Sequence, residues 1–121
     1  MKSMYSEEIL FHYKSPRNSG HIKSPTVSID ENNPSCGDKI HLELKISNGK
    51  IIDIKHKSSG CAISTAAMSM LSDKLIGMRV TKAKKLTNKD IYDMLGIDIS
   101  PARVKCALLG FVATKNVLNE F

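Results

Sequence analysis

Aromatic residues make up only 5% of this chain, and no apolar run approaches the roughly 18 residues that a membrane-spanning helix needs. The scarcity of rings leaves few platforms on which nucleic-acid bases could stack. The opening stretch from Met1 to Lys14 intersperses Glu7, Glu8, His12 and Lys14 among its apolar residues, so neither a signal peptide nor a membrane anchor is expected. There is no C-x-x-C knuckle, no internal repeat and no low-complexity tract, which sets aside zinc fingers of ordinary spacing and fibrous or disordered architectures.

What is present is ordinary globular usage, with 41% hydrophobic and 25% charged residues in 121 positions. That length suits one domain across residues 1–121 and can bury a core without covalent staples. The 3 cysteines are widely spaced and odd in number. A small secreted domain would pair its cysteines, so unpaired thiols point to metal or sulfur chemistry in a reducing compartment, and a cytoplasmic location is expected. The net charge of +6 is compatible with an acidic protein partner. The Lys82, Lys84, Lys85 and Lys89 run reads as a solvated helix face, and no nucleic-acid motif accompanies it.

Periodicity supplies the elements. Tyr5 to Tyr13 reads as an amphipathic helix with Ile9 and Tyr13 on one face and Glu7 and Glu8 near its start, broken by Ser15 to Gly20. Val27 and Ile29, then Leu42, Leu44 and Ile46, alternate with polar residues as half-buried strands do. Asn48-Gly49 tolerates positive φ at both turn positions, and Ile52 and Ile54 resume the alternation, so an antiparallel hairpin is predicted. After Ser58-Ser59-Gly60 the spacing of Ala67, Leu71 and Leu75 becomes helical up to Gly77. Thr81 and Thr87-Asn88 are expected caps of two short helices, the second ending at Leu95-Gly96. Ser100-Pro101 opens a last helix with Val104, Leu108, Phe111 and Leu118 as its buried stripe. The expected class is α+β, a small antiparallel sheet of about three strands with helices packed on one face.

All three cysteines fall at element junctions: Cys36 in the loop before a strand, Cys61 after a strand, Cys106 near a helix start. Thiolates at helix N-termini are stabilised by free backbone N–H groups and the positive end of the macrodipole, which applies to Cys61 and Cys106. Gly37 and Gly60 would let the backbone approach an ion closely, and Asp38 adds an oxygen ligand. Three sulfurs and one oxygen suit a tetrahedral zinc site or two irons, although free cysteines are also common inert core residues. For the histidines at 12, 21, 41 and 56 a ligand role is the minor reading, and His41 and His56 are expected on strand surfaces.

The run Asn33-Pro34-Ser35-Cys36-Gly37-Asp38, then Ser59-Gly60-Cys61-Ala62-Ile63-Ser64, then Arg103-Val104-Lys105-Cys106-Ala107 resembles the U-type iron-sulfur assembly family, which includes IscU, SufU and the N-terminal domain of NifU. The likeness runs from His12-Tyr13-Lys14-Ser15-Pro16-Arg17-Asn18 to the last helix. It implies the SufE/NifU-like fold and a metal held by Cys36, Asp38, Cys61 and Cys106. It further implies a cysteine desulfurase as sulfur-donating partner, with apo iron-sulfur proteins or a downstream carrier as recipients. Two functions follow from it. One is a scaffold that builds a [2Fe-2S] cluster with Cys106 as sulfur acceptor, and the other is a zinc-dependent sulfurtransferase with Cys36 as nucleophile. Either role is that of a sulfur acceptor rather than a stand-alone enzyme.

Within that family, Gly60 to Ser64 and Arg103 to Cys106 are similar to the SufU branch, with Lys105 where IscU scaffolds place a histidine. Leu86 to Gly96 is similar to the compact IscU and NifU middle, without the insertion usual in SufU. Ile99 to Arg103 stands in place of the proline-rich chaperone-recognition segment of IscU scaffolds.

Overall fold

A computed structural model describes residues 6–34 and 37–119. In chain order the elements are α1 (Glu7–Lys14), β1 (Val27–Asn33), β2 (Asp38–Ser47), β3 (Lys50–Ser59), α2 (Ala62–Leu75), α3 (Val80–Ala83), α4 (Asn88–Leu95), a 3₁₀ turn (Pro101–Arg103) and α5 (Val104–Leu118).

The three strands form one antiparallel sheet in the order β1-β2-β3, as the alternation predicts. Asn48 and Gly49 take φ of 53° and 75°, so the two-residue turn matches the twist of the strands it joins. One expectation fails here. The register slips between Lys45 and Ile46, so Leu44 faces Ile54 while Ile46 faces Ile51, and Ile52 becomes the extra residue of a bulge. Ile51 is therefore buried and Ile52 is 50% exposed, the reverse of an unbroken alternation. The outer edge of β3 is met by the chain at Asn18 to Gly20: His56 N donates to Asn18 O and Gly20 N to His56 O.

Helices α2 and α5 pack against one face of the sheet and form the core with Ile40, Leu42, Leu44 and Ile54. α2 is buried almost all round, including Ser69 and Ser72, because α1, α5 and the sheet enclose it. The helices cross closely at Gly110, where a Cβ would stand 2.6 Å from Met68 Sδ. The buried face of α5 runs through Cys106, Ala107, Leu109, Phe111, Ala113, Val117 and Leu118, and Val104 and Leu108 sit at its margin rather than on it.

α1 buries Ile9 alone, and Tyr13 is 43% exposed rather than sharing that face. α3 starts from Arg79, not from Thr81. α4 begins and ends as expected: Thr87 and Asp90 make a reciprocal capping box, and Gly96 adopts the left-handed conformation after Leu95. No helix among the described residues is long and apolar enough to cross a membrane.

Candidate metal and sulfur site

Three elements meet where β2 begins and α2 and α5 start. Asp38 is the first residue of β2, Cys61 is the N-cap of α2, and Cys106 is the third residue of α5. A carboxylate oxygen of Asp38 and the sulfurs of Cys61 and Cys106 all lie within 4.8 Å of one another. Three of the four residues singled out in the sequence are thus brought together. The fourth, Cys36, lies outside the described residues, two positions before Asp38 in the chain.

The carboxylate is held from below. Cys61 N–H donates to Asp38 Oδ1 at 2.9 Å, and the Cys61 thiol faces Asp38 Oδ2 at 3.5 Å. Ser64 N–H donates to Cys61 Sγ at 3.5 Å, so the sulfur does the work that a serine or aspartate oxygen does at an ordinary helix start. Asp38 is 1% exposed and Cys106 1%, whereas Cys61 is half-buried. Two sulfurs and one oxygen at this spacing fit the thiolate and carboxylate donors that zinc or iron accepts. The orphan hydroxyl of Ser64, buried without a hydrogen-bond partner among the described residues, stands one helical turn from Cys61.

The glycines differ in their reasons. Gly60 has φ of +152° and a Cβ there would lie 2.0 Å from Asp38 Oδ1, so the close approach of the carboxylate excludes any side chain. Gly37 has φ of +75° and open space around it, and its N–H donates to Asn33 O to close the loop between β1 and β2.

The motif from His12 to Asn18 fastens the first segment to α2. His12 Nδ1 lies 2.7 Å from Ser69 Oγ, Arg17 N donates to the same oxygen at 2.7 Å, and Asn18 Nδ2 donates to Ser72 Oγ at 2.8 Å. These bonds tie the first segment to α2, the helix that carries Cys61.

His56 departs from its expected surface position. It is 1% exposed, with Nε2 donating to Arg17 O at 2.8 Å. Burial pushes its pKa below 6.5, against the carbonyl hydrogen bond, and Lys55 and Lys57 push the same way. In the lysine-rich stretch, Lys89 pairs with Asp93 at 2.8 Å one turn on, as a solvated helix face does.

An antiparallel three-stranded sheet backed by helices defines a small α+β domain, and the two thiols and one carboxylate gathered at its element ends are donors of the kind a thiophilic metal accepts. Residues 4–121 match the NifU-like N terminal domain family, and the chain belongs to that family. It is 32% identical to the zinc-dependent sulfurtransferase SufU of Bacillus subtilis over 99% of this chain and 93% of that protein. It is 35% identical to the iron-sulfur cluster assembly scaffold protein IscU of Thermotoga maritima over 98% and 95% respectively. Among solved structures, it superposes with a TM-score of 0.79 and 27% identity on a putative iron-sulfur cluster assembly scaffold protein for the SUF system from Fervidobacterium islandicum, covering 95% of this chain and 96% of that one.

Proposed function

We infer that this protein works in iron-sulfur cluster assembly, taking sulfur from a cysteine desulfurase and building a [2Fe-2S] cluster for apo iron-sulfur proteins or a carrier, in the cytoplasm. The observation that carries this reading is the convergence of Asp38, Cys61 and Cys106 within 4.8 Å. Cys36, two residues before Asp38, completes the ligand set. One oxygen among three thiolates leaves a weaker fourth bond to iron, which eases release of the cluster as cargo.

Sulfur acceptance is a thiol exchange. A thiolate of this chain attacks the outer sulfur of the desulfurase persulfide, a new S–S bond forms on this chain, and the desulfurase cysteine leaves as thiolate. Cys106 is the acceptor by family likeness. Its 1% exposure means that the surrounding chain must move aside before it can attack. The half-buried Cys61 needs less movement.

A second reading is supported by the 32% identity to SufU and by Lys105 preceding Cys106. In it Cys36, Asp38, Cys61 and Cys106 hold zinc, and Cys36 carries sulfur onward. Bound there, zinc would keep the thiols deprotonated at neutral pH.

Anaerobic, chelator-free purification with metal counting, before and after incubation with desulfurase, cysteine, ferrous iron and a thiol reductant that supplies the electrons taking persulfide sulfur to sulfide, separates the two. A visible-absorbing cluster that forms with two irons per site and moves to an apo-ferredoxin supports the scaffold. Stoichiometric zinc that survives reconstitution, with no cluster formed, overturns the scaffold in favour of sulfur transfer.

A further inference from the structure

We propose that His21, His41 and Glu43 form a second metal site, on the opposite face of the sheet from the cysteines, that takes a divalent transition-metal ion of zinc's class. Residues 39, 41 and 43 of β2 point away from the face that carries Ile40, Leu42 and Leu44. Glu43 lies five residues along β2 from Asp38, about 17 Å at strand rise. The two sites therefore share a strand but no ligand.

The cluster is built from two segments. His41 and Glu43 alternate along β2, and His21 comes from the loop that crosses this face before β1. Glu43 is fixed in place: Oε1 accepts Ile22 N–H at 2.6 Å, and its side chain is only 10% exposed. The other oxygen, Oε2, lies 3.1 Å from His21 Nδ1 and 2.8 Å from His41 Nε2. One ligand atom from each of the three residues falls within 4.8 Å of the others.

The decisive relation is on the far side of His41. Its Nδ1 lies 2.8 Å from Asp30 Oδ1, the residue paired with it across β1 and β2. A neutral imidazole has one N–H. It can donate to Asp30 or to Glu43, and the remaining ring nitrogen then directs a lone pair at a carboxylate oxygen. A cation between His41 Nε2 and Glu43 Oε2 removes that conflict. With Nδ1–H donated to Asp30, the order carboxylate, imidazole, cation is the arrangement that orients metal-bound histidines in proteins.

Zinc-bound nitrogen and oxygen stand about 2.0–2.2 Å from the ion, which places tetrahedral ligand atoms about 3.4 Å apart. The present contacts open by a few tenths of an ångström to admit it. His21 is 64% exposed, so the cluster reaches solvent on the His21 side. Two imidazoles and a carboxylate without sulfur suit zinc, and exclude the thiophilic chemistry of the cysteine site. The competing cations are a second proton on His41 and the lysines that face the cluster from β3. Lys55 stands opposite Glu43 and Lys57 opposite His41. Lys55 Nζ is turned to Asp53 Oδ1 at 3.4 Å.

The test is zinc titration of the untagged full-length protein at pH 7.5, followed by the side-chain ¹⁵N resonances of the histidines and by bound-metal counting. The expected result is two zinc equivalents, the weaker of which moves the His21 and His41 ring nitrogens and leaves His12 and His56 in place. His21→Ala, at an exposed position, and Glu43→Gln should each lower that second affinity at least about tenfold while the first equivalent persists. Unmoved His21 and His41 resonances at saturating zinc would overturn the site and assign the cluster to a hydrogen-bonded imidazolium. A second equivalent that binds with unchanged affinity in both variants would overturn it as well.

Discussion

A Cβ at residue 60 would stand 2.0 Å from Asp38 Oδ1, so the absence of a side chain at Gly60 is what lets the Asp38 carboxylate reach the Cys61 backbone N–H. The geometry of the Asp38–Cys61 contact thus depends on a residue that contributes no side chain to it.

Gly60→Ala should displace the Asp38 carboxylate and strain a backbone held at positive φ. We expect a stability loss of about 1–3 kcal/mol in urea denaturation of the metal-free protein. A larger proportional loss of zinc affinity should appear in chelator competition. Unchanged affinity would show that Asp38 is not positioned by this contact.

Asp38→Asn keeps an oxygen that can accept Cys61 N–H but removes the negative charge. Its fold should survive, with zinc affinity lowered at least about tenfold, in the range that loss of a metal-supporting group produces. Equal affinities for the wild type and the variant would remove Asp38 from the ligand set.

Gly110→Ala places a methyl group 2.6 Å from Met68 Sδ and 3.2 Å from Met68 Cβ in the buried crossing of α2 and α5. Overpacking of this kind costs about 1–3 kcal/mol, offset by about 0.5–1 kcal/mol from the better helix former. The net expectation is a loss of about 1 kcal/mol. Because Cys61 and Cys106 lie at the ends of these two helices, metal binding should weaken alongside stability.

His56 sets a pH dependence. Its folded-state pKa is depressed by burial, so below the ordinary value of 6.5 the unfolded chain takes up a proton that the folded protein resists. Stability is fully present above 6.5 and falls as pH drops toward the folded-state value. In chelator, denaturation midpoints of the wild type should decline over this acidic range, and His56→Gln should flatten that decline. An identical slope in the variant would assign the acid sensitivity to other groups.

Much of the architecture is local and was legible. Asn48-Gly49 makes its turn because both residues take positive φ with little strain, whatever surrounds them. Thr87, Asp90 and Gly96 mark the ends of α4 through bonds made within a few residues. The bulge that exposes Ile52 depends on the partner strand, so alternation within one strand could not reveal it. Likewise Tyr13 is exposed and Val104 only partly buried on the stripes assigned to them, because neighbouring elements cover only part of each helix.

The same division holds for the sites. The chain order of the motifs around Cys36, Cys61 and Cys106 indicated the family, and placement at helix starts follows from local patterning alone. That Asp38 Oδ1 caps the Cys61 N–H, that His56 is buried against the Arg17 carbonyl, and that His21 comes to face Glu43 are contacts between residues distant in the chain. Sequence by itself determined the elements and the chemical inventory, because turns, caps and periodicity are short-range. Only the tertiary structure decided which donors share a space, because that depends on how α2, α5 and the loop before β1 close over the two faces of the sheet.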